Sequence, residues 1–209
     1  VRLSSPLEMQ VVQRSTAIQG EIHVEGTLGA PLARAALVEA MLIGGKSSPA
    51  WVKIGELKPG QTSFRADWLA PAGGWFEVTV RVRHEDELAG QATVGRVGVG
   101  EVFVVAGQSN SANHGEEKQR PLSDLVVAFS GRGWQPAVDP QPGASGAGGS
   151  FLPPFADAIV KRFKVPVGLV AVGVAATSVR EWLPRGTRFS QPPTLTGNVT
   201  RLDSGEWES

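Results

Sequence analysis

The sequence predicts a β-sandwich followed by part of an α/β domain with a parallel sheet. In residues 1–96, short runs of alternating apolar and polar residues are separated by Gly, Pro and Ser clusters about every ten residues. After residue 100 the apolar runs become continuous, and one segment repeats large apolar side chains every four residues. These two patterns divide the chain into an accessory domain, 1–96, and a second domain, 97–209.

Composition excludes several classes of function. The 209 residues carry 20 Lys and Arg against 20 Asp and Glu, so no basic excess indicates a nucleic-acid or membrane-surface partner. The absence of cysteine excludes disulfides, thiolate metal sites and a cysteine nucleophile. The three histidines are scattered, so we expect neither a metal nor a cofactor. The longest apolar run, 165–176, is too short to span a bilayer.

The first half has the pattern of an antiparallel sandwich. Apolar residues at 76, 78, 80 and 82 alternate with polar ones, which places them on one face of a sheet. Similar runs occur at 22–24, 36–43, 51–54 and 64–68. Packing of two such sheets face to face predicts a β-sandwich. No candidate catalytic residue is found in this half.

The second half has the pattern of a βαβ unit. The continuous apolar run at 102–106 predicts a strand buried on both faces, and 125–129 and 167–172 predict further strands. Between them, Phe151, Phe155, Ile159 and Phe163 predict a helix, with Ser150 as its N-cap and two prolines in the first turn. A strand, a helix and a second strand in this order predict a parallel sheet.

The first candidate catalytic segment follows the run at 102–106. Gly107, Gln108, Ser109 and Asn110 lie where loops of α/β folds carry their functional residues. A serine there can present its hydroxyl and its own N–H to a substrate, as nucleophilic acyl transfer requires. By composition alone an ordinary Gly-Asn-Ser turn is the alternative. A second segment, 170–182, could direct backbone N–H groups at an oxyanion or form a plain strand-to-helix junction.

Three blocks in order resemble the sialate O-acetylesterase-like branch of the SGNH hydrolases. Residues 99–110, Val-Gly-Glu-Val-Phe-Val-Val-Ala-Gly-Gln-Ser-Asn, resemble its first block. Residues 149–153 are similar to its Gly-Ser-x-x-Pro stretch, and 166–170 with 177–178 and 182–184 are similar to its next block. The resemblance implies that the second domain is the amino-terminal part of a three-layer, SGNH or flavodoxin-like, α/β esterase domain.

The resemblance also implies roles for individual residues. Ser109 matches the family's nucleophile, and its backbone N–H would be one oxyanion donor. The second donor comes from a glycine pair in the family, where this chain has Ala175 and Ala176. Gly107, Gln108 and Asn110 would support the turn around Ser109. Arg180 and Trp182 are candidates for the wall of a sugar-binding site.

The general base that the family supplies is missing. The family has a late Asp-x-x-His pair, and no aspartate of this chain is followed three residues on by histidine. His114, five residues after Ser109, is expected to be a surface residue. We therefore expect the chain to be the amino-terminal portion of a longer protein, whose own C-terminal segment or a second chain carries the Asp-x-x-His pair.

Two functions remain open from the sequence. The first is a serine esterase that removes O-acetyl groups from carbohydrate, either sialic acid or an acetylated polysaccharide. The second is a non-catalytic carbohydrate-binding or structural module with a decayed esterase fold. Because such substrates lie outside the cytoplasm, we expect export to the periplasm or the medium, although no signal peptide opens this sequence.

Overall fold

A computed structural model describes residues 1–45, 48–191 and 199–208. The first eight strands are β1 (Arg2–Ser5), β2 (Val11–Gln13), β3 (Gln19–Thr27), β4 (Ala36–Ile43), β5 (Val52–Leu57), β6 (Ser63–Pro71), β7 (Gly73–His84) and β8 (Glu87–Val105). The later elements are β9 (Val126–Phe129), β10 (Trp134–Pro136), α1 (Leu152–Phe163), β11 (Val167–Ala171), β12 (Arg188–Phe189), β13 (Thr200–Arg201) and β14 (Trp207–Glu208). The described chain is therefore rich in β-structure, with α1 as its one α-helix.

The first half is built from two sheets around one apolar core. Strands β1, β3 and β6 form an antiparallel sheet, and β5, β4, β7 and β8 form a second run of antiparallel pairs. The alternating residues predicted for one sheet face do point inward, since Phe76, Val78, Val80 and Val82 are all buried. They pack with Ile22 and other side chains of both sheets. Strand β4 has the predicted bounds.

Strand β8 connects the two halves. Its 19 residues pair with β7 in antiparallel fashion along most of their length, and Glu101–Val105 then pair with β11 in parallel. The domain boundary predicted between residues 96 and 97 falls inside this strand. Gly100 allows the close approach of the next strand, because a Cβ there would lie 2.0 Å from the Pro166 carbonyl oxygen. One backbone segment thus carries the sandwich and the candidate site.

The second half is a small sheet with a helix on one face. Strands β9, β11 and β8 are parallel neighbours in that order, and β10 pairs with β9 in antiparallel fashion. Helix α1 packs on this sheet through Leu152, Ala156 and Val160, which are buried with Val167 and Leu169. With twelve residues, the helix of the described part falls short of what a membrane crossing needs.

Two sequence predictions for this half need correction. The prediction that the run at 102–106 is buried on both faces is wrong: Val104 is 70% exposed, Ala106 is exposed, and the other three residues are only partly buried. The helix side of the sheet covers Phe103 and Val105, which alternate with these two exposed residues. The N-cap of α1 is Phe151 rather than Ser150. Ser150 instead donates its hydroxyl to the buried carboxylate of Asp139 at 2.7 Å, although its oxygen still accepts from the N–H of Leu152.

Candidate active site

The candidate site lies where the parallel strands β8 and β11 end side by side. Hydrogen bonds continue the pairing past both strands: the N–H of Val172 donates to the Val105 carbonyl at 3.0 Å. The N–H of Val174 likewise donates to the Gly107 carbonyl at 2.8 Å. The two sequence segments singled out above are therefore joined at one edge of the sheet, as expected for the carboxyl ends of parallel strands.

Ser109 occupies a constrained turn. Its φ is 53°, a left-handed conformation uncommon for residues other than glycine, and it starts a short 3-10 turn, Ser109–Ser111. Its carbonyl accepts from the N–H groups of Ala112 and His114. Gly107, with φ of 133°, is required here because a Cβ would lie 2.7 Å from Ser111 Oγ. Backbone conformations of this kind cluster at active sites, where they fix the direction of a side chain.

Ser109 is exposed, and no imidazole hydrogen-bonds to its hydroxyl in the described part of the chain. The hydroxyl donates to the side-chain oxygen of Gln108 at 2.5 Å. The backbone carbonyl of Gln108 accepts from Ser111 Oγ at 2.9 Å, within the turn that Gln108 is predicted to support. Asn110 is also exposed, and its carbonyl accepts from the N–H of Phe151 at the start of α1.

No histidine imidazole hydrogen-bonds to the Ser109 hydroxyl, and all three histidines lie in the described part of the chain. His23 is on the sandwich, where the neighbouring carboxylate of Asp67 at 2.6 Å, and secondarily Glu25, raises the pKa of its imidazole. His84 bonds to the Ala35 carbonyl. His114 is exposed, as the sequence indicated, and its ring lies against Gly146.

The segment after β11 carries the two predicted oxyanion donors, the backbone N–H groups of Ala175 and Ala176, and they differ in their hydrogen bonding. The Ala175 N–H is already occupied, because it donates to Ser145 Oγ at 2.9 Å. Ala176 has a φ of 58°, the left-handed conformation that a glycine adopts most easily. Its N–H has no acceptor among the residues that the structure describes. Of the two predicted positions, Ala176 is therefore the one whose N–H remains available to a ligand.

Ser145, in the glycine-rich segment 140–149, was not among the residues that the sequence singled out. Its N–H donates to the Gly173 carbonyl at 3.0 Å, and the next residue, Gly146, donates to the Ala112 carbonyl at 2.9 Å. A Cβ at Gly146 would lie 2.4 Å from the Asn113 carbonyl oxygen, so this loop packs its backbone directly on the segment after Ser109. The density of glycines was the signal for this close packing.

A buried polar network supports the turn from behind, and it too was not predicted. The carboxylate of Asp139, 6% exposed, accepts from the backbone N–H groups of Gln119 and Ser150. It also accepts from the Ser150 hydroxyl and the Gln141 amide. Asn113 bonds to Gln141 through both its amide nitrogen and its oxygen. The network ties the segment after Ser109 to the segment before α1.

Arg180 and Trp182, the predicted wall residues, lie in a short 3-10 turn after Ala176. Ser178 and Glu181 form a capping box that begins this turn. The indole N–H of Trp182 donates to Thr177 Oγ1 at 2.9 Å, and 38% of the residue remains exposed. Arg180 bonds to the side chain of Gln191. The ring is thus held in place near the site with part of its surface available for contact.

The left-handed conformation of Ala176 leads to a stability prediction. The left-handed conformation costs alanine about 1–2 kcal/mol in the folded state, and glycine avoids this strain. Glycine also gives the unfolded chain more conformational entropy, which cancels about 0.4–1 kcal/mol of the gain in stability. We therefore expect Ala176→Gly to raise the free energy of unfolding by about 0.5 kcal/mol, measured by urea denaturation. The matched control is Ala175→Gly, whose φ lies outside that region; it should lower the value by about 0.5–1 kcal/mol. Equal effects of both variants would contradict the assignment.

One family model matches the part of the chain that carries the candidate site. Residues 99–194 match the sequence model of the family described as carbohydrate esterase, sialic acid-specific acetylesterase. This match covers both loops of the site and confirms the resemblance found in the sequence. Among the described residues, no group of three or more His, Asp or Glu side chains could hold a metal ion.

A solved structure of a carbohydrate acetylesterase from Xanthomonas citri is also similar to this chain. The two share 16% sequence identity with a TM-score of 0.47, and the match covers 86% of this chain. It covers 41% of the Xanthomonas citri chain, so this chain spans less than half the length of that protein. No curated protein matches the sequence.

Proposed function

We propose that this chain carries the nucleophile of a serine esterase that removes O-acetyl groups from carbohydrate. One observation supports the proposal above others. Ser109 is exposed, is held with a left-handed backbone where β8 and β11 end, and lies in the segment that matches the esterase family. The substrate would be an acetylated sugar, such as an O-acetylated sialic acid or polysaccharide.

The chemistry follows from the groups at this edge of the sheet. Ser109 Oγ would attack the acetyl carbonyl carbon while its proton passes to a base, and the carbonyl π electrons would move to oxygen. The N–H groups of Ser109 and Ala176 would stabilise the oxyanion that results. Collapse of this intermediate releases the sugar hydroxyl and leaves an acetyl-serine, which water then hydrolyses. The exposed part of Trp182 and the guanidinium of Arg180 would contact the sugar.

The base would come from outside the described residues. We propose the protein's own further segment or a second chain, carrying the Asp-x-x-His pair. The sheet offers a place for it, since β2 pairs with β8 only up to Gly100. Beyond that point the N–H of Val102 bonds to the side chain of Gln13 instead of to a strand, and Val104 is exposed. A further segment that covers the sheet face carrying Val104 would complete the three-layer, SGNH-like arrangement.

A covalent probe tests the proposal directly. The complete protein would be incubated with a fluorophosphonate, which bonds to activated serine hydroxyls, and the labelled peptide identified by mass spectrometry. We expect the label on Ser109 and its absence in Ser109→Ala. Labelling that is absent, or that survives the substitution, would show that Ser109 is not an activated nucleophile.

The alternative, a non-catalytic carbohydrate-binding or structural module, has one specific observation in its favour. The Ser109 hydroxyl donates to Gln108 rather than to a base, and no imidazole of the described residues hydrogen-bonds to it. This alternative predicts that the complete protein binds acetylated carbohydrate with equal affinity before and after Ser109→Ala, and that the fluorophosphonate labels neither. For the esterase we propose export, since its substrates lie outside the cytoplasm.

A further inference from the structure

We infer that the Ser145 hydroxyl is a third oxyanion donor of the site, in place of the Ala175 N–H that it occupies. The inference rests on the proposed esterase function and assigns a role to a residue of the loop before α1. It follows from the way the hydroxyl is bonded, from its rigid attachment and from its place beside Ala176.

The hydrogen bond with Ala175 fixes which way the hydroxyl can donate. A serine hydroxyl has one proton to donate and two lone pairs that accept. Ser145 Oγ accepts from the Ala175 N–H at 2.9 Å, so one lone pair points at the backbone. Its proton therefore points elsewhere, and among the described residues it has no acceptor. Because Ser145 is exposed, this proton is available to a bound ligand.

The backbone around Ser145 is held tightly to both loops of the site. The Ser145 N–H donates to Gly173, and the N–H groups of Gly146 and Gly148 donate to Ala112 and Asn113 at 2.9 and 2.7 Å. Gly173 in turn packs on Ser111, since a Cβ at Gly173 would lie 2.2 Å from the Ser111 carbonyl oxygen. A donor on such a support costs little reorganisation when negative charge develops.

The bonded hydroxyl would be a stronger donor than an isolated one. An N–H that donates to a hydroxyl oxygen polarises the O–H bond, and hydrogen bonds in such a chain strengthen each other. The Ala175 N–H would thereby act on the oxyanion through Ser145. With the N–H groups of Ser109 and Ala176, the Ser145 hydroxyl would give the site three donors. It takes the place of the Ala175 N–H, which cannot reach the oxyanion because it already donates to Ser145 Oγ.

The test is the steady-state hydrolysis of p-nitrophenyl acetate by the complete protein. We expect Ser145→Ala to lower kcat about 10²-fold, the typical effect of losing one oxyanion donor, with little change in KM because the neutral ester forms the interaction only in the transition state. Ser145→Thr, which keeps the hydroxyl, should retain most of the rate. Ser145→Cys, whose thiol donates weakly, should behave like Ser145→Ala and serves as the test if the alanine variant does not fold. Ser130→Ala, in the exposed turn between β9 and β10, is the matched control and should leave kcat unchanged.

The outcomes separate this inference from the proposed function. An unchanged kcat in Ser145→Ala, or an equal loss in the threonine variant, would overturn the role of Ser145 while Ser109-dependent turnover stands. A raised kcat would overturn it too, and would show that Ser145 only withholds the Ala175 N–H from the oxyanion. If turnover by the unmodified protein does not depend on Ser109, the proposed function and this inference both fail.

Discussion

Replacing Ser109 by alanine is expected to lower kcat for p-nitrophenyl acetate by about 10⁶-fold, the order of loss seen when a serine nucleophile is removed. The reason is that the side chain supplies the bond-forming oxygen, and no described neighbour can replace it. Ser111 is the nearest serine along the turn, but it is buried and its hydroxyl is bonded to the Gln108 carbonyl. The measurement is the release of nitrophenolate by the complete protein at saturating ester.

The matched control is again Ser130→Ala, which removes the same atom from a serine in an exposed turn. Its kcat should equal that of the unmodified protein, and KM should not change. Equal turnover by Ser109→Ala and the unmodified protein would end the esterase proposal, whichever segment supplies the base. An intermediate loss below about tenfold would mean that Ser109 assists a reaction whose nucleophile is another group.

The second large effect is expected at Asp139. Replacing it by asparagine keeps its size but sets an NH₂ group against buried donors, because the carboxylate accepts from Gln119, Gln141 and twice from Ser150. A buried donor left unsatisfied costs about 1–3 kcal/mol. We expect Asp139→Asn to lower the free energy of unfolding by about 3 kcal/mol, measured by urea denaturation.

Asp157 offers a close comparison for that measurement. Its carboxylate also accepts two backbone N–H groups, from Leu122 and Ser123, but it lies half-buried on helix α1. Because water can replace part of the lost bonding, Asp157→Asn should cost about 1 kcal/mol. If the two asparagine variants were equally stable, the network behind the turn would not be the support that its hydrogen bonds suggest.

Local patterns predicted the elements that carry the site. Strand β4 and helix α1 follow from periodicity, since burial on one face imposes a spacing of two or four along the chain. Strand β11 follows from a continuous apolar run. The approximate position of Ser109 followed from the apolar run before it. These signals act within a few residues and can be seen in one segment of sequence.

Contacts between distant segments could not be predicted in the same way. The bond between Ser145 and Ala175 joins residues 30 positions apart, and the bond between Asp139 and Gln119 joins residues 20 positions apart. The segments involved have an ordinary composition for loops. The exposure of Val104 is similar in origin, because an apolar run indicates that a strand can be covered and not which element covers it. Alanine itself carries no turn signal, so the left-handed Ala176 was indicated only by the glycine pair that the resembling family has at these positions.

The length of β8 has a consequence for how the two halves respond to stress. Mechanical force or thermal opening that separates β7 from β8 loosens the same strand, β8, that ends two residues before Gly107. Unfolding of the sandwich should therefore displace Ser109 through the continuous backbone of β8, without a chain of side-chain contacts between them. A protein that starts at residue 97 would begin in the middle of β8. It would lack β7, whose pairing with β8 holds the strand that leads to the Ser109 turn.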